Sequence, residues 1–267
     1  MSERLAIIGV GNMGAAVLRG ALAAGFLKPQ DVLAVEPDER RAAEARALGC
    51  AIARGPAEAR TWGSILLAVK PQQFPAVADA LRPLDESMLV ISIMAGLGTE
   101  RIQSALGGRA RLVRVMPNLA CQVGAGMSAI ALGAGARPGD QALAERLFDT
   151  LGKTVIVREP LMHAVTAVSG SGPAYVFLLA EAMQQAAVEI GLNEADAATL
   201  VLQTIAGAAR LLETGKRGAA GWRETVTSRG GTTEAALESL ANAGFAAAIA
   251  AAIRAARDRG EALSRSG

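Results

Sequence analysis

Metal and disulfide chemistry have almost nothing to work with in this chain. Its 267 residues include two cysteines, Cys50 and Cys121, and a single histidine, His163. That set is too small for a disulfide framework or a zinc cluster, so no metal site is expected and a reducing cytoplasm is the default setting. Aromatic residues make up only 3% of the chain, so the core has to be assembled from Ala, Leu, Val and Ile. Charge is nearly balanced as well. A net charge of +2, with no run of five basic residues, offers no footprint for nucleic acid or an acidic membrane surface. The charge-poor stretch 164–180 is broken by Ser169-Gly-Ser-Gly-Pro173 and is not a membrane span, and no signal-peptide pattern opens the chain. What is there, 51% hydrophobic and 19% charged residues, describes a well-packed globular protein of one large or two ordinary domains.

The first apolar run, Leu5-Ala-Ile-Ile-Gly-Val10, reads as a strand buried on both faces of a parallel sheet. It leads into Gly9-Val-Gly-Asn-Met-Gly14 and then an apolar-periodic helix ending near Gly25. In this context the three glycines have separate purposes. They allow a tight turn, close approach of a pyrophosphate to the backbone, and close packing of the helix on the strand. A second strand, 31–35, ends at Glu36. An acid there usually takes the ribose hydroxyls of NADH and repels the extra phosphate of NADPH, whereas Arg40 and Arg41 would neutralise that phosphate. An acid merely exposed at the head of the next helix is the alternative. Cofactor choice stays open, tilted towards NADH by Glu36 alone.

Strands and helices then alternate. Helices are expected over 38–48, 72–81, 99–106 and 138–151, and strands near 51 and over 64–69, 88–93, 111–115, 127–132 and 154–157. This pattern predicts an α/β Rossmann-like, doubly wound domain over residues 1–160. Ligands of such sheets sit beyond the carboxyl ends of the strands. The cofactor candidates are therefore Gly9, Gly11, Asn12, Met13, Gly14, Glu36, Ala68, Val69, Lys70, Pro71, Ala95 and Asn118. Lys70, at a strand mouth, either meets a phosphate or carboxylate or is simply solvated.

After Pro160 no strand is expected. An all-helical domain, 161–267, is predicted, with helices from Pro173 to Ile190, over 194–214, near Trp222, over 234–241 and from Phe245 to about Ser264. Residues 175–180 are apolar on every side of their helix, and a partner chain is the simplest source of that burial. A homodimer is expected.

Hydride transfer also needs an acceptor site and something to activate the acceptor. A structural role suits His163 better than a catalytic one, and the helical half offers one lysine, Lys216. An imine that is protonated before it binds needs no strong enzymatic acid, because one hydrogen bond to its nitrogen suffices. Attention falls on Val226-Thr-Ser-Arg-Gly-Gly-Thr-Thr233, just ahead of an alanine-rich helix. Gly230 and Gly231 are positioned to offer N–H groups to a carboxylate, and Ser228, Thr232 and Thr233 to offer hydroxyls. The competing reading is a Ser/Thr-rich helix cap.

The chain resembles pyrroline-5-carboxylate reductase from end to end. The matching segments are Ile8–Gly14, Ala68-Val-Lys-Pro-Gln72, Ser92-Ile-Met-Ala-Gly96, Arg114-Val-Met-Pro-Asn118, Val168–Val176 and Val226–Thr233. The resemblance implies a Rossmann domain, a dimerisation domain whose helices interleave with the partner's, and often a ring of dimers. It implies that Thr233 hydrogen-bonds the ring nitrogen and that its loop holds the substrate carboxylate. NADPH or NADH would be held by the glycine-rich turn and the Ala-Val-Lys-Pro segment. The expected activity is reduction of 1-pyrroline-5-carboxylate to L-proline.

Four positions depart from the family pattern. Arg229 stands where proline is usual, Lys216 where many members have Glu, Gly55 where a polar residue is common, and Glu36 where a neutral or basic residue is more frequent. Two rival readings remain. One is a 3-hydroxyacid dehydrogenase of the 6-phosphogluconate type, although its Asn-x-x-Lys pattern is missing. The other is a non-catalytic NAD(P)H-sensing protein, for which a degraded loop around Arg229 would be the mark.

Overall fold

The computed structural model describes residues 3–266. They form two compact units, one comprising residues 3–171 and 256–266 and the other Gly172–Ala255.

The first unit is built on an eight-stranded sheet. Its strands are β1 (Leu5–Ile8), β2 (Val32–Val35), β3 (Ala51–Ala53), β4 (Ser64–Leu67), β5 (Leu89–Ser92), β6 (Arg111–Met116), β7 (Gly126–Leu132) and β8 (Gly152–Ile156), in the order β3-β2-β1-β4-β5-β6-β7-β8. The helices between them are α1 (Asn12–Ala23), α2 (Glu39–Ala47), α3 (Phe74–Leu81), α4 (Thr99–Ala105) and α5 (Gln141–Asp149). Successive strand residues face opposite sides, which divides the core in two. Leu5 and Ile7 join Val17, Leu18, Leu147 and Phe148 on one face. Ala6 and Ile8 join Phe74, Leu81, Ile102 and Leu106 on the other. Both faces are covered, as the uninterrupted apolar strands require.

From β3 to β6 every neighbouring pair is parallel, but β7 runs antiparallel to β6. The connection explains the reversal. Only a short 3-10 turn, Leu119–Val123, separates β6 from β7, and a parallel return needs a crossover of a dozen residues or more. The crossover through α5 then makes β8 parallel to β7. The order changes direction at β1, which has β2 on one side and β4 on the other. That places the switch point, where open sheets bind ligands, at the carboxyl ends of β1 and β4.

A short helix α6 (Met162–Val165) and a π-helical turn, Thr166–Gly170, close this unit. The second unit contains α7 (Gly172–Glu189), α8 (Glu194–Glu213), α9 (Ala219–Thr225), α10 (Thr232–Asn242) and the first part of α11 (Phe245–Ser266). Asn193 caps α8 by accepting the Asp196 N–H at 2.9 Å. The apolar side chains on α7 are not covered within the chain: Phe177 is 59% exposed and Leu178 65%. The compact units thus divide at Ser171/Gly172 rather than at Pro160/Leu161, and the end of α11 packs with the first unit. Among the described residues no single helix is long and apolar enough to cross a membrane. The pair α10 and α11, bent by 51°, passes that test only together.

Candidate active site

A cleft of about 710 Å³ opens at the switch point of the first unit. Eight of the sequence-predicted positions line it: Gly9, Gly11, Asn12, Met13, Glu36, Ala68, Val69 and Lys70. They arrive from the ends of three adjacent strands, β2, β1 and β4. Backbone hydrogen bonds tie these ends together, from Gly9 N to the Val35 carbonyl and from Ala68 N to the Ile8 carbonyl, each 2.9 Å.

The glycines behave differently from one another. A Cβ on Gly14 would fall 2.0 Å from the Gly9 carbonyl oxygen, so α1 lies against the turn closer than any side chain allows. Gly9 itself has φ +95° and rests on the Ala68 carbonyl. A Cβ on Gly11 would meet no protein atom within 4 Å, although Gly11 lines the cleft. The space beside it is room for a ligand. With the N-terminus of α1 facing that room, the residues fit a dinucleotide's pyrophosphate.

Glu36 is not the exposed acid considered as an alternative. It is 5% exposed, and both carboxylate oxygens accept backbone N–H groups: Oε2 from Val10 at 2.8 Å and Oε1 from Asp38 at 3.1 Å. The acid at the end of β2 is thereby fastened to the glycine-rich turn.

Four predicted cofactor positions lie outside the cleft lining. Gly14 packs beneath the turn. Pro71 starts a 3-10 turn, Pro71–Gln73, in which Gln73 accepts the Lys70 N–H at 3.3 Å. Ala95 is exposed after β5. The amide of Asn118 is used within the fold, accepting the Met127 N–H at 3.2 Å and donating to Ser169 Oγ at 3.5 Å. Conversely, Arg54, Pro56, Gln73, Ala76 and Val77 line the cleft without having been singled out from sequence. Arg54 and Pro56 follow the three-residue β3, whose brevity gave little signal, and Gln73 adjoins the Ala68–Gln72 segment.

The second candidate loop belongs to the other unit. Gly231 is the N-cap of α10, and no side chain caps it, so the Ser/Thr cap reading does not hold. The turn is tight there: a Cβ on Gly231 would fall 2.4 Å from Ser228 Oγ and 3.0 Å from the Ser228 carbonyl oxygen, so the serine side chain would have to rotate away. The N–H groups of the two glycines are not presented outwards as the sequence suggested. Gly230 N donates to Glu234 Oε2 at 2.6 Å and Gly231 N to the Ser228 carbonyl at 3.0 Å. The donors at this end are the first N–H groups of α10, on Thr232 and Thr233, which have no intrahelical partner. Ser228 and Thr232 are exposed and Thr233 is half-buried. Arg229 and Lys216 are exposed.

His163 is a structural residue. Its Nε2 lies 3.2 Å from Ser264 Oγ, and the Ser264 hydroxyl donates to the Gly96 carbonyl at 2.8 Å. With that proton engaged, the imidazole donates from Nε2. Burial first, and then the Arg114 charge, hold its pKa below the usual value. No group of three or more His, Cys, Asp or Glu side chains able to hold a metal occurs among the described residues.

Comparison with known proteins converges on one family. The family model for pyrroline-5-carboxylate reductase dimerisation matches residues 159–263, and one for NADP oxidoreductase, coenzyme F420-dependent, matches residues 4–96. The chain is 40% identical over 267 residues to pyrroline-5-carboxylate reductase of Synechocystis sp., covering 99% of this chain and all of that one. The structure of a pyrroline-5-carboxylate reductase from Coxiella burnetii superposes with a TM-score of 0.91 at 32% identity, covering 99% of each chain. That of Plasmodium falciparum pyrroline carboxylate reductase with NADP bound gives 0.88 at 29% identity, covering 98% of each.

Proposed function

This chain belongs to the pyrroline-5-carboxylate reductase family, and from that premise we propose how its residues divide the work. It is an NAD(P)H-dependent oxidoreductase that reduces 1-pyrroline-5-carboxylate to L-proline, the last step of proline biosynthesis. The observation that carries this conclusion is the identity to the reductases along the whole chain, which includes both candidate sites. The hydroxyacid dehydrogenase and sensor readings give way to it.

The cofactor belongs in the cleft of the first unit, where it supplies the hydride when bound. Gly9, Gly11, Asn12 and Met13 hold its pyrophosphate, Glu36 faces its adenosine ribose, and Ala68, Val69 and Lys70 line its path; Gly14 and Pro71 shape those turns. Ala95 and Asn118 remain assigned to the cofactor by the family pattern. On the substrate side, Gly230 and Gly231 make the turn that gathers the polar groups of Ser228, Thr232 and Thr233 around the carboxylate. The Thr233 hydroxyl bonds the ring nitrogen. A carboxylate suits this place, since the N-terminal end of a helix carries partial positive charge. Because the imine carries its proton in, orientation by Thr233 replaces a strong general acid.

The uncovered apolar side chains of α7 support a homodimer, with the helical region matched by the dimerisation family model, residues 159–263, as its seat and the sheet-bearing part of the chain as the cofactor domain. A ring of dimers, a cytoplasmic location and independence of membranes belong to the same proposal. The buried free thiols of Cys50 and Cys121 suit a reducing setting.

Initial rates with the pyrroline and each reduced cofactor, for wild type and Thr233→Ala, test this reading. Removing one hydrogen-bonding group costs about 1–3 kcal/mol of transition-state stabilisation, a fall of roughly 5- to 150-fold in kcat/KM. Unchanged kcat/KM would take Thr233 out of the mechanism.

A further inference from the structure

We propose that this chain selects NADH over NADPH, and that Glu36 makes the choice. The inference rests on the cleft being the cofactor site, and it names the cofactor that site prefers.

The two dinucleotides differ by one phosphate on the adenosine ribose, a group of about −1.5 to −2 charges near neutral pH. In this fold the ribose lies at the end of the second strand, here Glu36. An acidic side chain there could admit a phosphate by swinging aside. Glu36 is not free to do so. It is 5% exposed, and both its oxygens hold backbone N–H groups, Val10 on one side and Asp38 on the other. Turning the carboxylate away would orphan both donors, one of them in the buried glycine-rich turn. Each oxygen keeps a second lone pair, so the carboxylate can still accept the ribose hydroxyls.

The surroundings also offer few fixed donors to a phosphate. Pro37 has no N–H. The Asp38 N–H is given to Glu36, and the Arg41 N–H to Asp38 Oδ1 at 3.0 Å. Asp38 and Glu39 place two acids at the start of α2, the helix end an anion would otherwise favour. Of the cations on the cleft wall, Arg54 is paired with Glu39 at 3.1 Å, and Arg46 shares that same carboxylate at 3.2 Å. Arg41 and Lys70 also line the cleft, and both are exposed to solvent, where their attraction is screened. A fixed, buried negative charge against exposed, flexible positive ones leaves the balance repulsive for the extra phosphate.

The test is calorimetric titration of the full chain with NADH and NADPH, and separately with AMP and adenosine 2′,5′-bisphosphate, which isolate the phosphate from catalysis. A partly screened like-charge contact predicts NADH binding about tenfold tighter than NADPH, with the same order for the nucleotide pair. Glu36→Gln removes the charge while keeping one acceptor, and it narrows both ratios to within about threefold. NADPH or the bisphosphate binding as tightly as its counterpart in wild type would overturn the proposal and leave the cofactor reading of the cleft intact. Binding of none of the four would overturn both. Wild-type ratios that survive Glu36→Gln would remove Glu36 as the determinant. Should that variant fail to fold, the wild-type pairs still decide the preference.

Discussion

Gly11 and Gly14 are three residues apart in one turn, yet replacing each with alanine should damage the protein in different ways. At Gly14 the new methyl would sit 2.0 Å from the Gly9 carbonyl oxygen and 3.3 Å from Ala68 Cβ. Neither neighbour is the end of a flexible chain, so α1 or the turn must move by about 1 Å, an overpacking cost of roughly 2–3 kcal/mol. For a domain of this size that is a fall of roughly 5–10 °C in Tm. At Gly11 the backbone is φ −73°, ψ −168°, which alanine adopts freely, and no atom lies within 4 Å of the new methyl. Only the loss of a favourable N-cap remains, less than about 1 kcal/mol. The methyl instead occupies the space facing the cleft, where a ligand's approach would lose about 1–3 kcal/mol, a rise in Kd of roughly 5- to 150-fold. Thermal unfolding of the three proteins, with titration of NADH and NADPH, separates the two effects. Gly11→Ala binding both cofactors as wild type does would show that the pyrophosphate does not lie there. Gly14→Ala with an unchanged Tm would show that the close approach of α1 is not what demands glycine.

Two further outcomes follow from the first unit. His163 has its pKa held below the 6.5 of the free side chain. As pH falls the unfolded chain therefore binds this proton first. The stability that neutral His163 contributes is full above about pH 6.5 and declines below it, towards the folded pKa. Thermal midpoints near pH 7.5 and 5.5 should show a steeper acid loss for wild type than for His163→Asn, and equal slopes would refute the role given to this histidine. Arg114 is buried and relies on Glu159, 3.4 Å away, which also accepts the N–H and the hydroxyl of Thr99. Glu159→Ala strands the guanidinium and should cost about 3 kcal/mol in urea unfolding, and a loss below about 1 kcal/mol would show that water replaces the pair.

The alternation of apolar strands and periodic helices was sufficient to place almost every element, because a strand buried on both faces has little choice of composition. The same holds for the glycine-rich turn, where the glycine spacing, with a strand before it and a helix after it, pointed to a place where the folded chain forms a cleft. Shorter or less regular pieces escaped that logic. β3 has three residues, and the cleft positions after it, Arg54 and Pro56, carried no periodic signal. The reversal of β7 depends on the length of one connection, not on the strand's own residues. In the α10 loop, residue types announced an anion site, but which N–H groups point outwards depended on Glu234 reaching back to Gly230.

The sequence by itself determined the fold class, the two candidate sites and the family, since these follow from hydrophobic period, glycine placement and ordered motifs. It left Glu36 suspended between selecting a cofactor and heading a helix, with Arg40 and Arg41 beside it. Only the tertiary structure decided that its carboxylate is buried and held rather than exposed. Folding brings Val10, 26 residues away in the chain, within 2.8 Å of the carboxylate and buries the charge there. A residue type can be read in one dimension, but whether its charge is held or free to turn depends on partners that only packing brings near.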